Sequence, residues 1–166
     1  MTPHSPVLPF RHPHGSTQSS GLVGITSACS VVEPWAAIFC GALGAVAYTI
    51  GAKLCLKLRI DDPVNATAVH FFAGMWGLLA PALFAKEANM VAATYAAGQE
   101  GLFYSGEFNM LWTQLYALGA IVAWVTMNMC PFFVILKCAG MFRVSADVEE
   151  MGMDASEHGG GAYHMG

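Results

Sequence analysis

The sequence predicts an all-α integral membrane protein with three full membrane spans and one partial span. Two observations lead to this prediction. First, 55% of the 166 residues are hydrophobic and 11% are charged, whereas soluble domains carry about 25% charged residues. Second, the apolar residues fall in long runs. The net charge is only -4, so the composition does not indicate a nucleic-acid-binding protein.

Four apolar segments follow one another along the chain: Gly21–Val32, about Trp35 to Leu56, Val64–Ala85 and about Leu111 to Leu136. The first is too short to cross a bilayer and accounts for the partial span. As a helix, the third would rise about 33 Å, enough for a hydrocarbon core of about 30 Å. We therefore expect a membrane region at residues 21–140, a disordered N-terminal tail at residues 1–20 and a C-terminal tail at residues 141–166.

Two prolines mark the starts of the second and third segments. Pro34 follows Glu33 and Pro63 follows Asp62, and each proline precedes an apolar run. A carboxylate near the cap with proline at the first helical position is typical of a helix start. We expect Asp62 to cap the third helix, and a role as an ion ligand is the alternative.

The distribution of basic residues predicts the orientation of the chain. Basic residues cluster between the second and third segments and again after the fourth, whereas the long connection at residues 86–110 holds one Lys and three Glu. Cytoplasmic loops carry the excess of Lys and Arg. The C-terminus is therefore expected in the cytoplasm.

His70 is the residue that most needs an explanation, because it interrupts an apolar run. Ionisable residues inside a membrane span mark functional sites. At α-helical spacing, His70 shares a face with the small residues Gly74 and Gly77 and with Pro81, and such residues let helix backbones approach closely. We expect the imidazole to face neighbouring helices or a pore. A structural histidine that bonds a neighbouring helix is the alternative.

No pattern in the sequence predicts an enzyme or a cofactor. We find no nucleophile–base set, no phosphate-binding glycine loop and no metal-ligand spacing. His4, His12 and His14 offer metal ligands, but their Pro-rich and Ser-rich surroundings favour a disordered tail. The five cysteines are scattered, and we interpret them as packing residues.

Four stretches resemble the ammonium transporter family, the Amt/Mep/Rh superfamily. They are GLVGIT at Gly21–Thr26, VVEPWAA at Val31–Ala37, KLRIDDPVNATAVHFFAGMWG at Lys57–Gly77 and GMDASEHGGGAY at Gly152–Tyr163. The resemblance implies the C-terminal part of an eleven-helix ammonium transporter, with no counterpart of the first seven helices. It also implies a trimer in the plasma membrane, with one narrow pore in each subunit.

The resemblance implies roles for two residues near the third segment. His70 corresponds to the second of two pore histidines that contact each other, and the partner histidine has no counterpart here. Asn65 stands where many members have an acidic residue at the cytoplasmic start of the helix. The local negative charge beside Asp62 is therefore reduced in this chain.

The last match implies a regulatory C-terminal tail. In related transporters this segment folds against the cytoplasmic face, contacts the neighbouring subunit and couples the pores. Ser156 occupies the position of a threonine that is phosphorylated in plant members, and a phosphate there would add about -1.5 to -2 charge. The residues of this prediction are Gly152, Asp154, Ser156, His158 and Gly159. A loosely ordered tail is the alternative.

The predicted function is ammonium or ammonia transport across a lipid bilayer, with this chain as an incomplete part of the pore-forming subunit. We expect a homotrimer or an assembly with full-length transporter subunits, and neither a cofactor nor a nucleic-acid partner. Two alternatives remain at this point. One is a non-transporting module that assembles with full-length transporters and regulates them, and the other is a non-functional truncation.

Overall fold

The computed structural model describes residues 14–145, 147 and 148, and these residues form helices and connecting turns without a β-strand. The helices are α1 (His14–Thr26), α2 (Pro34–Lys57), α3 (Thr67–Phe84), α4 (Glu87–Ala92), α5 (Leu102–Ser105) and α6 (Asn109–Cys138). Among them α2, α3 and α6 are long and apolar enough to cross a membrane. The expected all-α fold with three spans is thus confirmed.

Helix α1 begins earlier than the sequence predicted. Residues 14–20, which we assigned to a disordered tail, are helical, and Ser20 is fully buried. The Ser20 hydroxyl donates a hydrogen bond of 2.7 Å to the carbonyl oxygen of Thr17. Packing explains the difference, because Ser20 and Gly24 lie directly against Gly44 of α2. At 13 residues, α1 rises about 20 Å and remains shorter than a full span.

Helix α2 begins where the sequence predicted. Pro34 occupies the first turn and Glu33 is the N-cap residue, although the Glu33 side chain makes no capping hydrogen bond. Its buried residues recur every three or four positions: Ala36, Cys40, Gly44, Tyr48, Gly51, Ala52 and Cys55. This spacing places them on one face of the helix, and that face packs against α1 and α3.

Helix α3 begins at Thr67 rather than near Val64. Asn65 has φ of 55°, a left-handed conformation that ends any helix running through it. Pro63 therefore lies in a turn before the helix, and the prediction that it occupies the first helical position is wrong. The first part of α3, Thr67–Phe72, is π-helical, and Ala73–Phe84 continues as an α-helix.

Backbone hydrogen bonds connect the end of α3 to two other parts of the chain. Lys86 N–H donates to the carbonyl oxygen of Val31 at 2.9 Å, and Gly101 N–H donates to that of Ala85 at 2.8 Å. The same part of the chain contains a cluster of buried apolar residues: Ala28, Val31, Val32, Ala36, Cys40, Ala80, Phe84, Ala85 and Met90. The long connection at residues 86–110 is consequently structured, and it contains α4 and α5.

The chain divides into two compact units after Gly119. Helix α6 continues through Pro131 and none of its residues is buried. It ends at Cys138, and Gly140, two residues later, has φ of 73°. There Met141 N–H donates to Leu136 and Gly140 N–H donates to Lys137, which is the Schellman arrangement.

Candidate functional site

His70 lies in the π-helical part of α3, and its side chain is exposed. Ala73 N–H donates to the carbonyl oxygen of Ala68, five residues back. A π turn therefore adds one residue to the α-helical repeat, which rotates the preceding residues by about 100° around the axis. Gly77 and Pro81 are buried, so His70 does not share their face, and that prediction is wrong.

The imidazole of His70 makes no hydrogen bond to the residues that the structure describes. Its neighbours Ala68 and Val69 are buried on the other side of the helix, and Phe71 is exposed beside it. A neutral imidazole offers one hydrogen-bond donor and one acceptor. Both nitrogens of His70 are thus available to a polar group or a small molecule outside this bundle.

The Asp62 carboxylate holds the start of α3. Its Oδ1 accepts a hydrogen bond from Ala66 N–H at 2.7 Å, and its Oδ2 accepts one from Thr67 N–H at 2.8 Å. The N-terminal amides of a helix have no partners within the helix, and a carboxylate both bonds them and interacts favourably with the helix dipole. Asp62 therefore acts at the helix start even though the helix begins later than expected.

Asn65 forms the corner between Asp62 and α3. Asn65 is only 5% exposed. Its backbone N–H donates a hydrogen bond of 3.2 Å to the Asp62 carbonyl oxygen, and its own carbonyl oxygen accepts one of 2.9 Å from Val69 N–H. Asparagine tolerates the left-handed conformation better than most residues. Its side-chain Nδ2 is buried without a hydrogen-bond partner. Asp62 and Asn65 also line a cavity of about 170 Å³.

At the other end of α3, Lys86 forms an ion pair with Glu33. Trp35 Nε1–H donates to the second carboxylate oxygen of Glu33 at 2.9 Å. The hydrogen bond from Lys86, followed by that from Trp35, lowers the pKa of Glu33. The same carboxylate raises the pKa of Lys86. Sequence reasoning missed this pair because no local pattern connects residues 53 positions apart.

The proposed regulatory residues lie outside the described part of the chain, and their role stays a prediction: Gly152, Asp154, Ser156, His158 and Gly159. His4 and His12 also lie outside it. Of the five cysteines, Cys40 and Cys55 are buried and the others are exposed. The packing interpretation therefore fits two of them.

Comparison with known proteins gives consistent results. The model of the Ammonium Transporter Family matches residues 16–163. The chain is 43% identical over 149 residues to Ammonium transporter 1 member 3 of Solanum lycopersicum, covering 86% of this chain and 32% of that protein. It is 39% identical over 145 residues to Ammonium transporter 3 of Dictyostelium discoideum, covering 87% and 33%.

Comparison with solved structures points to the same family. The crystal structure of Saccharomyces cerevisiae Mep2 matches with a TM-score of 0.69 and 28% identity, over 84% of this chain and 31% of that chain. The chain thus spans about a third of the length of the relatives it matches. From the matched residues and the shared arrangement of helices, we conclude that this membrane protein belongs to the ammonium transporter family.

Proposed function

We propose that this chain forms part of a pathway for ammonium or ammonia across the plasma membrane, with its C-terminus in the cytoplasm. The observation that carries the proposal is His70: it lies in a helix long enough to span a membrane, it is exposed, and it has no hydrogen bond to the described residues. Because the chain belongs to the ammonium transporter family, we infer that the molecule passing His70 is ammonium or ammonia.

The chemistry of the permeant fits the surroundings of His70. Ammonium loses much of its hydration energy in an apolar passage, whereas neutral ammonia loses far less. A neutral imidazole can accept a hydrogen bond from the permeating nitrogen or donate one to it. Imidazole can also exchange a proton with that nitrogen. His70 is then the group that contacts the permeant.

A second candidate function is assembly with full-length transporter subunits, which this chain would complete or regulate. The exposure of α6 favours it, because a helix with no buried residue can pack against further helices as well as against lipid. A homotrimer belongs to the same proposal. The predicted tail around Ser156 would act in such an assembly.

Growth of a yeast strain that lacks its own ammonium transporters tests both candidates. The chain is expressed alone or with a full-length transporter of reduced activity, on limiting ammonium. His70→Ala is compared with Phe71→Ala, an exposed neighbour on the same helix. Rescue by the unmodified chain and by Phe71→Ala, but not by His70→Ala, is expected if His70 contacts the permeant.

Controls for membrane delivery separate the outcomes. If the chain reaches the membrane and never supports growth in either setting, the transport proposal is wrong. If it changes growth only with the full-length partner and purifies with it, the second candidate is supported. If His70→Ala rescues growth as well as Phe71→Ala does, His70 has no role in contacting the permeant.

A further inference from the structure

The ring of Phe72 packs directly on the backbone of Gly51. A Cβ atom built on Gly51 would lie 2.5 Å from Cγ and Cδ2 of the Phe72 ring and 2.9 Å from its Cβ. Real Cβ atoms essentially never approach other atoms so closely. The ring therefore occupies space that any residue other than glycine would fill.

Phe72 is the last residue of the π turn that carries His70. The same turn packs Ala68 and Val69 in a buried cluster with Tyr48 and Ala52 of α2. Three side chains of the turn thus lie on one short stretch of α2, on either side of Gly51. His70 and Phe71 lie on the exposed side of the turn.

A neighbouring contact extends this arrangement towards the exposed side. The rings of Phe71 and Phe72 have centroids 5.3 Å apart and an interplanar angle of 88°, an edge-to-face geometry that aromatic pairs favour. The position of Phe72 on Gly51 therefore also determines where Phe71 lies. His70 is attached to the same backbone, one residue before Phe71.

We propose that Gly51 is a positioning residue for His70. By leaving room for the Phe72 ring, Gly51 seats the π turn on α2 and fixes the direction in which the imidazole points. This inference rests on the proposed function for its importance to transport, although the geometric part stands by itself.

The consequence of a side chain at position 51 follows from the distances. In Gly51→Ala, the new Cβ would lie 2.5 Å from the Phe72 ring, whereas an ordinary contact needs at least 3.4 Å. The ring must therefore move by about 0.9 Å. If the π turn instead relaxes to an α-helix, one residue is lost from the repeat. His70 then rotates by about 100° relative to the rest of α3.

The first measurement is the alkylation rate of the thiol introduced by His70→Cys, in the chain purified in detergent. N-ethylmaleimide is the probe, and peptide mass spectrometry reads position 70 separately from the native cysteines. Gly51→Ala should change this rate, because the displaced Phe72 ring alters the direction in which the side chain at position 70 points. Gly41→Ala is the matched control on the same helix, since its Cβ would lie 3.7 Å from its nearest neighbour. It should leave the rate unchanged.

A double-variant comparison identifies the ring as the intermediary. Phe72→Ala removes the ring, so Gly51→Ala should add little in that background. Independent, additive effects would overturn the proposal. If Gly51→Ala does not reach the folded state, Phe72→Ala alone should still change the alkylation rate, and an unchanged rate would overturn the proposal as well.

Ammonium uptake by the chains with native His70 separates this inference from the proposed function. A change in alkylation together with a loss of uptake in Gly51→Ala supports both. A change in alkylation with normal uptake keeps the positioning role and removes the role of His70 in transport. An alkylation rate equal to that of Gly41→Ala refutes the positioning role, whatever the uptake.

Discussion

Gly24→Ala should weaken the packing of α1 on α2. A Cβ at position 24 would lie 2.8 Å from the Cα atom of Gly44 and 3.1 Å from the carbonyl oxygen of Cys40. Both are backbone atoms of α2, so no side-chain rotation relieves the contact. To move the first distance from 2.8 Å to an ordinary 3.4 Å, the helices must separate by about 0.6 Å.

The expected loss of stability combines two opposing effects. Overpacking costs about 1–3 kcal/mol, while alanine in place of glycine inside a helix gains about 1 kcal/mol. Separation of α1 would also disturb its contact with α3, since Gly77 lies against the Val23 backbone. The overpacking cost should therefore fall in the upper part of its range, which leaves a net loss of about 1–2 kcal/mol.

Unfolding of the purified chain in mixed micelles, followed by tryptophan fluorescence, measures this loss. Gly119→Ala in α6 is the control, because its Cβ would meet nothing within 4 Å. Since one separation of the helices relieves both contacts, Gly24→Ala and Gly44→Ala together should cost less than the sum of the two. A Gly24→Ala chain as stable as Gly119→Ala, or two losses that simply add, would refute the reasoning.

Three further predictions concern hydrogen bonds and charge. The hydrogen bond from Lys86 lowers the pKa of Glu33. The stability that this ion pair contributes is therefore present above pH 4.5 and is lost as the pH falls through the lower pKa of Glu33 in the folded chain. Glu33→Gln should abolish this acid-induced loss, which thermal unfolding at a series of pH values measures. Asp62→Ala removes the acceptor of two helix amides and should cost about 1 kcal/mol in the same unfolding assay, with no loss expected only if water replaces the carboxylate. Trp76→Phe removes the 2.8 Å hydrogen bond to the Cys40 carbonyl and should cost about 1 kcal/mol; an unchanged unfolding midpoint would show that this bond does not stabilise the fold.

Run length was enough to predict the spans from sequence, and proline position was enough to predict the start of α2 but not that of α3. The long apolar runs around α2, α3 and α6 match helices that can cross a membrane. An apolar run of that length is typical of a membrane-spanning helix and of few other structures. Pro34 predicted the start of α2 correctly, since it fixes the backbone angle of a first helical residue. Each of these features depends on residues that are close together in the sequence, so the sequence alone was enough to predict them.

Features that depend on tertiary contacts could not be predicted in this way. The residues before Gly21 are helical, and Ser20 among them packs on α2, a contact that composition does not reveal. The start of α3 depends on the left-handed backbone of Asn65 and on the reach of Asp62 to amides four and five residues on. The π turn at His70 packs on α2, and a regular period of 3.6 residues per turn, which does not allow for such a turn, placed His70 on the wrong face.

The connection between Glu33 and Lys86 has a consequence for the biogenesis of the chain. The two residues are 53 positions apart, and ribosomes add about 5–20 residues per second. For about 3–10 s, therefore, the newly made start of α2 has neither the Lys86 ammonium nor the Lys86 amide that bonds Val31. During that interval other partners, such as water, must satisfy these groups, so this end of the bundle can close only after residue 86 has been made.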